Sequence, residues 1–252
     1  MRRTDVHDAA YAVVSGGIGF VPAPPGCLTA TETALEELVR LGRLRREDGI
    51  AEETWGYAPD HKGQYDRGLS QYREDERKDT FHYEPATYEI LESKGAPVHA
   101  WTKFFRAQDE SWRLLYSLAD ELMQEFDRLL PDCGIYDSFK GYGLRHPNRG
   151  IVYERRTGAD RETAYPHCDR GFISLHHSET GPGFFIVPKD SKMRLRIHIP
   201  KGHIGIFPGL KCQKMTNGLV SAIVHGTYEV PVREPNGRRA SVFFAHTTIS
   251  HL

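Results

Sequence analysis

The chain has 252 residues, with Lys+Arg 33 against Asp+Glu 34 and a formal net charge of -1. That length suits one sizeable core, and the charge balance gives no reason to expect a nucleic-acid partner, whose binders concentrate Lys and Arg on one face. No stretch approaches the roughly 18 to 20 apolar residues of a membrane span, so no membrane partner is expected.

The N-terminus, MRRTDVHDAAYAVVSGG, starts basic, but Asp5, His7 and Asp8 interrupt any apolar run, which argues against a signal peptide. Cys27, Cys133, Cys168 and Cys212 lie far apart with no Cys-x-x-Cys pair, which argues against a disulfide framework and a structural zinc site. The expectation is a reduced, cytoplasmic protein. Thr29 and Glu32 can form a capping box ahead of a helix carrying Leu35, Leu38, Val39 and Leu41. Residues 49–97 read as loop-rich, with many aromatics, and the mixed-sign run 73–79 (REDERKD) reads as a solvated face.

Trp112, Leu115, Ala119, Leu122, Phe126 and Leu129 recur at three- and four-residue steps, which predicts a helix over 109–130 with one apolar stripe. From about Ile151 the period changes to short β segments: 150–154, 172–176, 183–187, 194–199, 202–207, 219–224, 227–232 and 240–246. Pro, Gly and Asn separate them, including Glu234-Pro235-Asn236-Gly237 before the last. Seven or eight short strands at this spacing predict a jelly roll. The fold class is therefore mainly β with supporting helices: a helical and loop region over 1–140 packing on a jelly-roll core over 141–252, as one structural unit.

His167-Cys168-Asp169 places two ligand types at i and i+2, on one face of an extended strand. His225 follows the apolar run 219–224 and can approach from a different strand. Two imidazoles and one carboxylate are the facial triad of non-haem iron(II) oxygenases, which leaves positions open for cosubstrate and O2. Arg239 and Ser241 alternate onto one face of the last strand, expected to point into the barrel. A guanidinium fork beside a hydroxyl suits the distal carboxylate of a dicarboxylic acid. Arg170, His176, His177 and His246 are weaker candidates, for which a surface or structural role is the plainer reading.

These motifs resemble the isopenicillin N synthase-like 2-oxoglutarate oxygenases over roughly residues 150–247. The likeness runs through Tyr165-Pro166-His167-Cys168-Asp169, then Gly183-Phe184-Phe185, then Met215-Thr216-Asn217-Gly218 ahead of His225, and Arg239-Ala240-Ser241 before two Phe. The resemblance implies iron held by His167, Asp169 and His225, and 2-oxoglutarate bound by Arg239 and Ser241. Tyr153 looks like the family's cosubstrate tyrosine, although its context, Val-Tyr-Glu-Arg, departs from the family pattern. The implied activity is hydroxylation, desaturation or ring closure of a small molecule, using Fe(II), 2-oxoglutarate and O2 and releasing succinate and CO2. A family member working without 2-oxoglutarate, a cupin-type metal protein, a zinc hydrolase and a non-catalytic β-sandwich module stay as alternatives, the cupin's His-x-His-with-Glu cluster being missing here.

Overall fold

The computed structural model describes residues 2–47, 52–57, 67–69, 78–153, 162–179, 183–189, 191–228 and 238–248. In chain order the elements are α1 (Arg3–Val14), β1 (Gly19–Pro22), α2 (Cys27–Glu47), α3 (Glu52–Trp55), β2 (Gly56–Tyr57), β3 (Arg67–Leu69), β4 (Lys78–Tyr83) and α4 (Thr87–Ser93). They continue with α5 (Thr102–Leu129), α6 (Ile135–Tyr142), β5 (Asn148–Tyr153), β6 (Glu162–His167), β7 (Ile173–Glu179), β8 (Phe184–Val187) and β9 (Leu195–Arg196). The chain closes with β10 (His203–Pro208), α7 (Leu210–Met215), β11 (Val224–Tyr228) and β12 (Arg238–Ala245).

Two antiparallel sheets form the jelly roll. The larger runs β1-β10-β7-β12-β5-β4-β3-β2 and the smaller β6-β11-β8-β9. The first half of the chain is therefore not only helix and loop: β1 caps one edge of the larger sheet, and β2 to β4 extend the other. The expected run 219–224 is not a strand; β11 begins at Val224. The strand β6 was not foreseen as a separate element. The turn at 234–237 lies outside the described residues, as do residues 70–77. Thr29 does not cap α2, which begins two residues earlier, and its carbonyl accepts the Thr33 hydroxyl within the helix. None of the helices among the described residues is long and apolar enough to cross a membrane.

The helices α2 and α5 cover the outer face of the larger sheet. Phe81 of β4 meets Phe104 edge-on at 4.7 Å, Trp112 of α5 packs near Phe243 of β12, and Phe126 meets Phe172. These contacts fix which residues of each strand face the helices. A Cβ on Gly150 would lie 3.0 Å from Leu38 Cδ2 and 3.4 Å from Leu35 Cδ2 of α2. On β5, then, Asn148, Gly150 and Val152 face the helices, while Arg149, Ile151 and Tyr153 face the barrel.

A buried polar network ties this layer together. His177 Nε2–H donates to Asn148 Oδ1 at 3.1 Å, and its Nδ1 lies 3.1 Å from Thr31 Oγ1, which is 2.8 Å from Ser111 Oγ. Asn148 Nδ2 donates to Gln108 Oε1 at 3.3 Å. One tautomer satisfies both ring nitrogens of His177. At β7 the register against β12 slips between Ser241 and Val242, where Ser178 and His176 become successive partners and His177 is the extra residue. The bulge turns His177 outward to the helices.

Burial pushes the pKa of His177, and of His146 beneath α6, down to about 3 from 6.5. Unfolded, each protonates near 6.5, so the unfolded state binds more protons as pH falls below that value. Stability is whole above pH 6.5 and is lost toward pH 3, at about 1.4 kcal/mol per pH unit per histidine. Urea unfolding of His177→Gln should therefore lose about 2 kcal/mol less than the unaltered protein between pH 7 and pH 5. Identical losses would contradict a neutral, buried His177.

Candidate metal centre

The end of the barrel is built on the pairing of β6 with β11. His167, the last residue of β6, is the Cα register partner of His225, the second residue of β11. Their ring centroids are 4.7 Å apart. Close approach of these strands depends on Gly226, where a Cβ would lie 2.6 Å from Phe185 Cζ and 2.7 Å from the Ala164 carbonyl oxygen.

Asp169 lies just beyond the end of β6, in the turn leading to β7. Its Oδ1 is 3.7 Å from His167 Nε2 and its Oδ2 is 3.5 Å from His225 Nε2. The three donor atoms lie within 4.8 Å of one another, the only such group of three or more His, Cys, Asp or Glu among the described residues. Adjacent ligands of a first-row ion bound by N and O sit roughly 3 Å apart, so a small contraction closes this set on a metal.

The second contacts of each ligand fit the same purpose. His167 Nδ1–H donates to the Tyr165 carbonyl at 2.7 Å, and His225 Nδ1–H to the Ile223 carbonyl at 3.1 Å. Both lone pairs are thereby left on Nε2, aimed at the common centre. Burial and the neighbouring His225 push the His167 pKa below its ordinary value, which favours the neutral ligand form. Ser174 Oγ donates to Asp169 Oδ2 at 2.5 Å, a contact that sequence reasoning missed. Its only signal was a hydroxyl one residue into the strand that follows the His-x-Asp.

The turn itself is fastened to α7. The Leu210 amide donates to the Asp169 carbonyl at 2.8 Å and the Lys211 amide to the Gly171 carbonyl at 3.1 Å. Only glycine fits at 209, because a Cβ there would lie 2.4 Å from the Gly171 carbonyl oxygen and 2.8 Å from that of Asp169. Phe184 and Phe207 flank His225 and complete an aromatic wall. Arg170 is exposed, and His246 stacks on Tyr142.

The other expected site residues divide differently. Tyr153 is buried on the barrel side, in a cluster with Ile151 and Ala240. Arg239 and Ser241 do share a face, but it is the opposite one. Ser241 Oγ donates to the Arg149 carbonyl at 3.3 Å and approaches Asn148 Oδ1 at 3.5 Å, in the helix-facing network. Arg239 pairs with Val152, which packs in the helix-side core. The physical reason is the period of two: Phe243 is held against Trp112, so 241 and 239 follow it outward, and 240 and 238 alternate inward. Position 238 is the register partner of Tyr153, whose other partner is Lys78 of β4.

No family model matches the sequence, and no curated protein matches it. Solved structures match the fold over nearly the whole chain. T7H from Neurospora crassa in complex with alpha-KG is 14% identical with a TM-score of 0.69, covering 97% of this chain and 78% of that one. AtDAO1, a dioxygenase for auxin oxidation from Arabidopsis thaliana, in a 2-oxoglutarate complex, is 13% identical with a TM-score of 0.66, covering 99% and 89%. JOX2 in complex with 2OG, Fe and JA is 15% identical with a TM-score of 0.61, covering 96% and 70%. The jelly roll of this chain is thus the fold of 2-oxoglutarate oxygenases.

Removing the Ser174 hydroxyl deprives Asp169 of a side-chain hydrogen-bond donor. Ser174→Ala should lower Fe(II) affinity on the order of 10- to 100-fold, as outer contacts of metal ligands do, with the fold unchanged by circular dichroism. Anaerobic Fe(II) titration measures it; unaltered affinity would mean that Asp169 does not bind the metal.

Proposed function

We propose that the protein is an Fe(II)- and 2-oxoglutarate-dependent oxygenase that hydroxylates, desaturates or cyclises a small molecule. The observation that carries this reading is the convergence of His167, Asp169 and His225 at one end of the barrel, with both imidazoles turned Nε2-inward by backbone carbonyls. Two nitrogens and one carboxylate leave ligand positions open, the pattern of non-haem iron rather than of a closed structural zinc site. The similar structures in complex with alpha-KG or 2OG support the choice of cosubstrate.

His167 and His225 would hold iron through Nε2, and Asp169 through a carboxylate oxygen that Ser174 keeps in place. With 2-oxoglutarate and O2, bound Fe(II) supplies the oxidation of a C–H bond, releasing succinate and CO2. Phe184 and Phe207 keep bulk water from the inner side of the His225 ring, which strengthens every polar contact there.

For the far carboxylate of 2-oxoglutarate the chain offers adjacent arginines, Arg238 and Arg239. The motif resemblance selects Arg239 with Ser241. In the backbone register, position 238 is the partner of Tyr153. We propose that the far carboxylate falls to the arginine pair at the start of β12 together with Tyr153.

Loss of a charge-assisted Arg–carboxylate pair costs on the order of 2–5 kcal/mol, roughly 30- to several-thousand-fold. Replacing both Arg238 and Arg239 with Ala should raise the 2-oxoglutarate requirement by that factor. Succinate release at varied 2-oxoglutarate measures it, and an unchanged requirement would contradict the assignment. His225→Ala should abolish succinate release. A protein that turned over without 2-oxoglutarate, or with Zn(II) in place of Fe(II), would refute the reading.

A further inference from the structure

We infer that the end of the barrel carrying the candidate metal centre docks on an anionic lipid surface. His167 of β6, His225 of β11, Ile186 of β8 and Leu195 of β9 are successive register partners, so they form one row across the smaller sheet. The chain leaves β6 and β8, and enters β11 and β9, within a residue of this row. Residues 168–172, 188–194 and 209–223 therefore all lie at the metal-bearing end. They carry Arg170, Lys189, Lys192, Arg194, Lys211 and Lys214 against Asp169 and Asp190, in a chain whose formal net charge is -1. Asp169 belongs to the candidate centre. Arg170, Lys189, Lys192 and Lys214 are exposed, and none has an ion pair among the described residues.

Apolar side chains protrude among these cations. Of the eight exposed large hydrophobics among the described residues, Tyr165, Met193, Leu195, Leu210 and Leu219 stand at this end. Tyr165 is two residues before His167, the Leu210 amide binds the Asp169 carbonyl, and Leu219 lies between α7 and β11. Met193 is 67% exposed and Leu219 69%. These side chains rise singly from β6, from β9 and its approach, from α7 and from the segment ahead of β11. A folded protein partner offers one packed apolar core to a matching surface, whereas a bilayer interface takes up scattered protruding side chains one by one. A nucleic acid would answer the cations and leave Met193, Leu195 and Leu219 without an apolar partner. An anionic leaflet answers both: each Lys or Arg near it adds roughly fivefold in affinity, and the apolar side chains enter the boundary of headgroups and acyl chains. A contact of this kind lies on the membrane and requires no spanning helix, of which the described residues have none.

The test sediments the full chain with extruded vesicles, either phosphatidylcholine alone or an equimolar mixture of phosphatidylcholine and phosphatidylserine. The readout involves neither iron nor turnover, so it stands or falls separately from the proposed activity. The protein should bind the mixed vesicles, less so as salt rises, and should not bind phosphatidylcholine alone. Replacing both Lys189 and Lys192 with Ala should weaken binding on the order of thirtyfold, with the circular dichroism unchanged. Orientation is read from an added indole. Trp55, Trp101 and Trp112 are all at least partly buried, so brominated lipid should quench the new emission of Met193→Trp. It should not quench that of Tyr11→Trp, at an exposed position on α1. Equal binding to both vesicle types, no binding to the mixed vesicles, full affinity in the double variant, or quenching of Tyr11→Trp in place of Met193→Trp would overturn the inference. Tighter binding to a DNA duplex than to the mixed vesicles would also overturn it.

Discussion

Everything at the candidate centre depends on one register, His225 opposite His167 across the β6–β11 pair. A shift of a single residue would turn one imidazole to the outer face of the smaller sheet. Gly226 permits the close approach, and the two carbonyl acceptors fix the ring tautomers. Asp169 completes the set from outside the sheet, so it needs its own support. That comes from Ser174 on β7 and from the α7 amides that bind its turn. The site is held by two sheets and a helix, and no single element positions it.

The larger sheet answers a different constraint. Its outer face is committed to α2 and α5 by Phe81, Gly150, Phe243 and the His177–Asn148 network. Once those contacts are fixed, alternation leaves Arg149, Ile151, Tyr153 and Ala240 for the barrel. The polar network is itself closed, with donors matched to acceptors across α2, α5, β5 and β7, which makes it a rigid backing for the pocket wall. Which side chains face the barrel is in this sense inherited from helix packing outside it.

The convergence of His167, Asp169 and His225 was legible in the sequence because its signal is local: His-x-Asp, then a distal His after an apolar run. The stripe of α5 and most β segments were legible for the same reason, since periodicity needs only neighbours in the chain. The face of the last strand was not. A period of two says that 239 and 241 go together, but only the tertiary contact of Phe243 with Trp112 says where. The strands of the first half, β1 to β4, escaped notice because each gains its partners from distant segments: β1 from β10, β4 from β5. The bulge at His177 and the hydroxyl of Ser174 likewise exist as functional features only after the sheet has formed.

The most direct measurement of the central claim is diffraction at the iron absorption edge from crystals grown without oxygen in Fe(II) and 2-oxoglutarate. One anomalous peak per chain is expected, within bonding distance of His167 Nε2, an Asp169 carboxylate oxygen and His225 Nε2. A peak elsewhere, or none at these three residues, would contradict it.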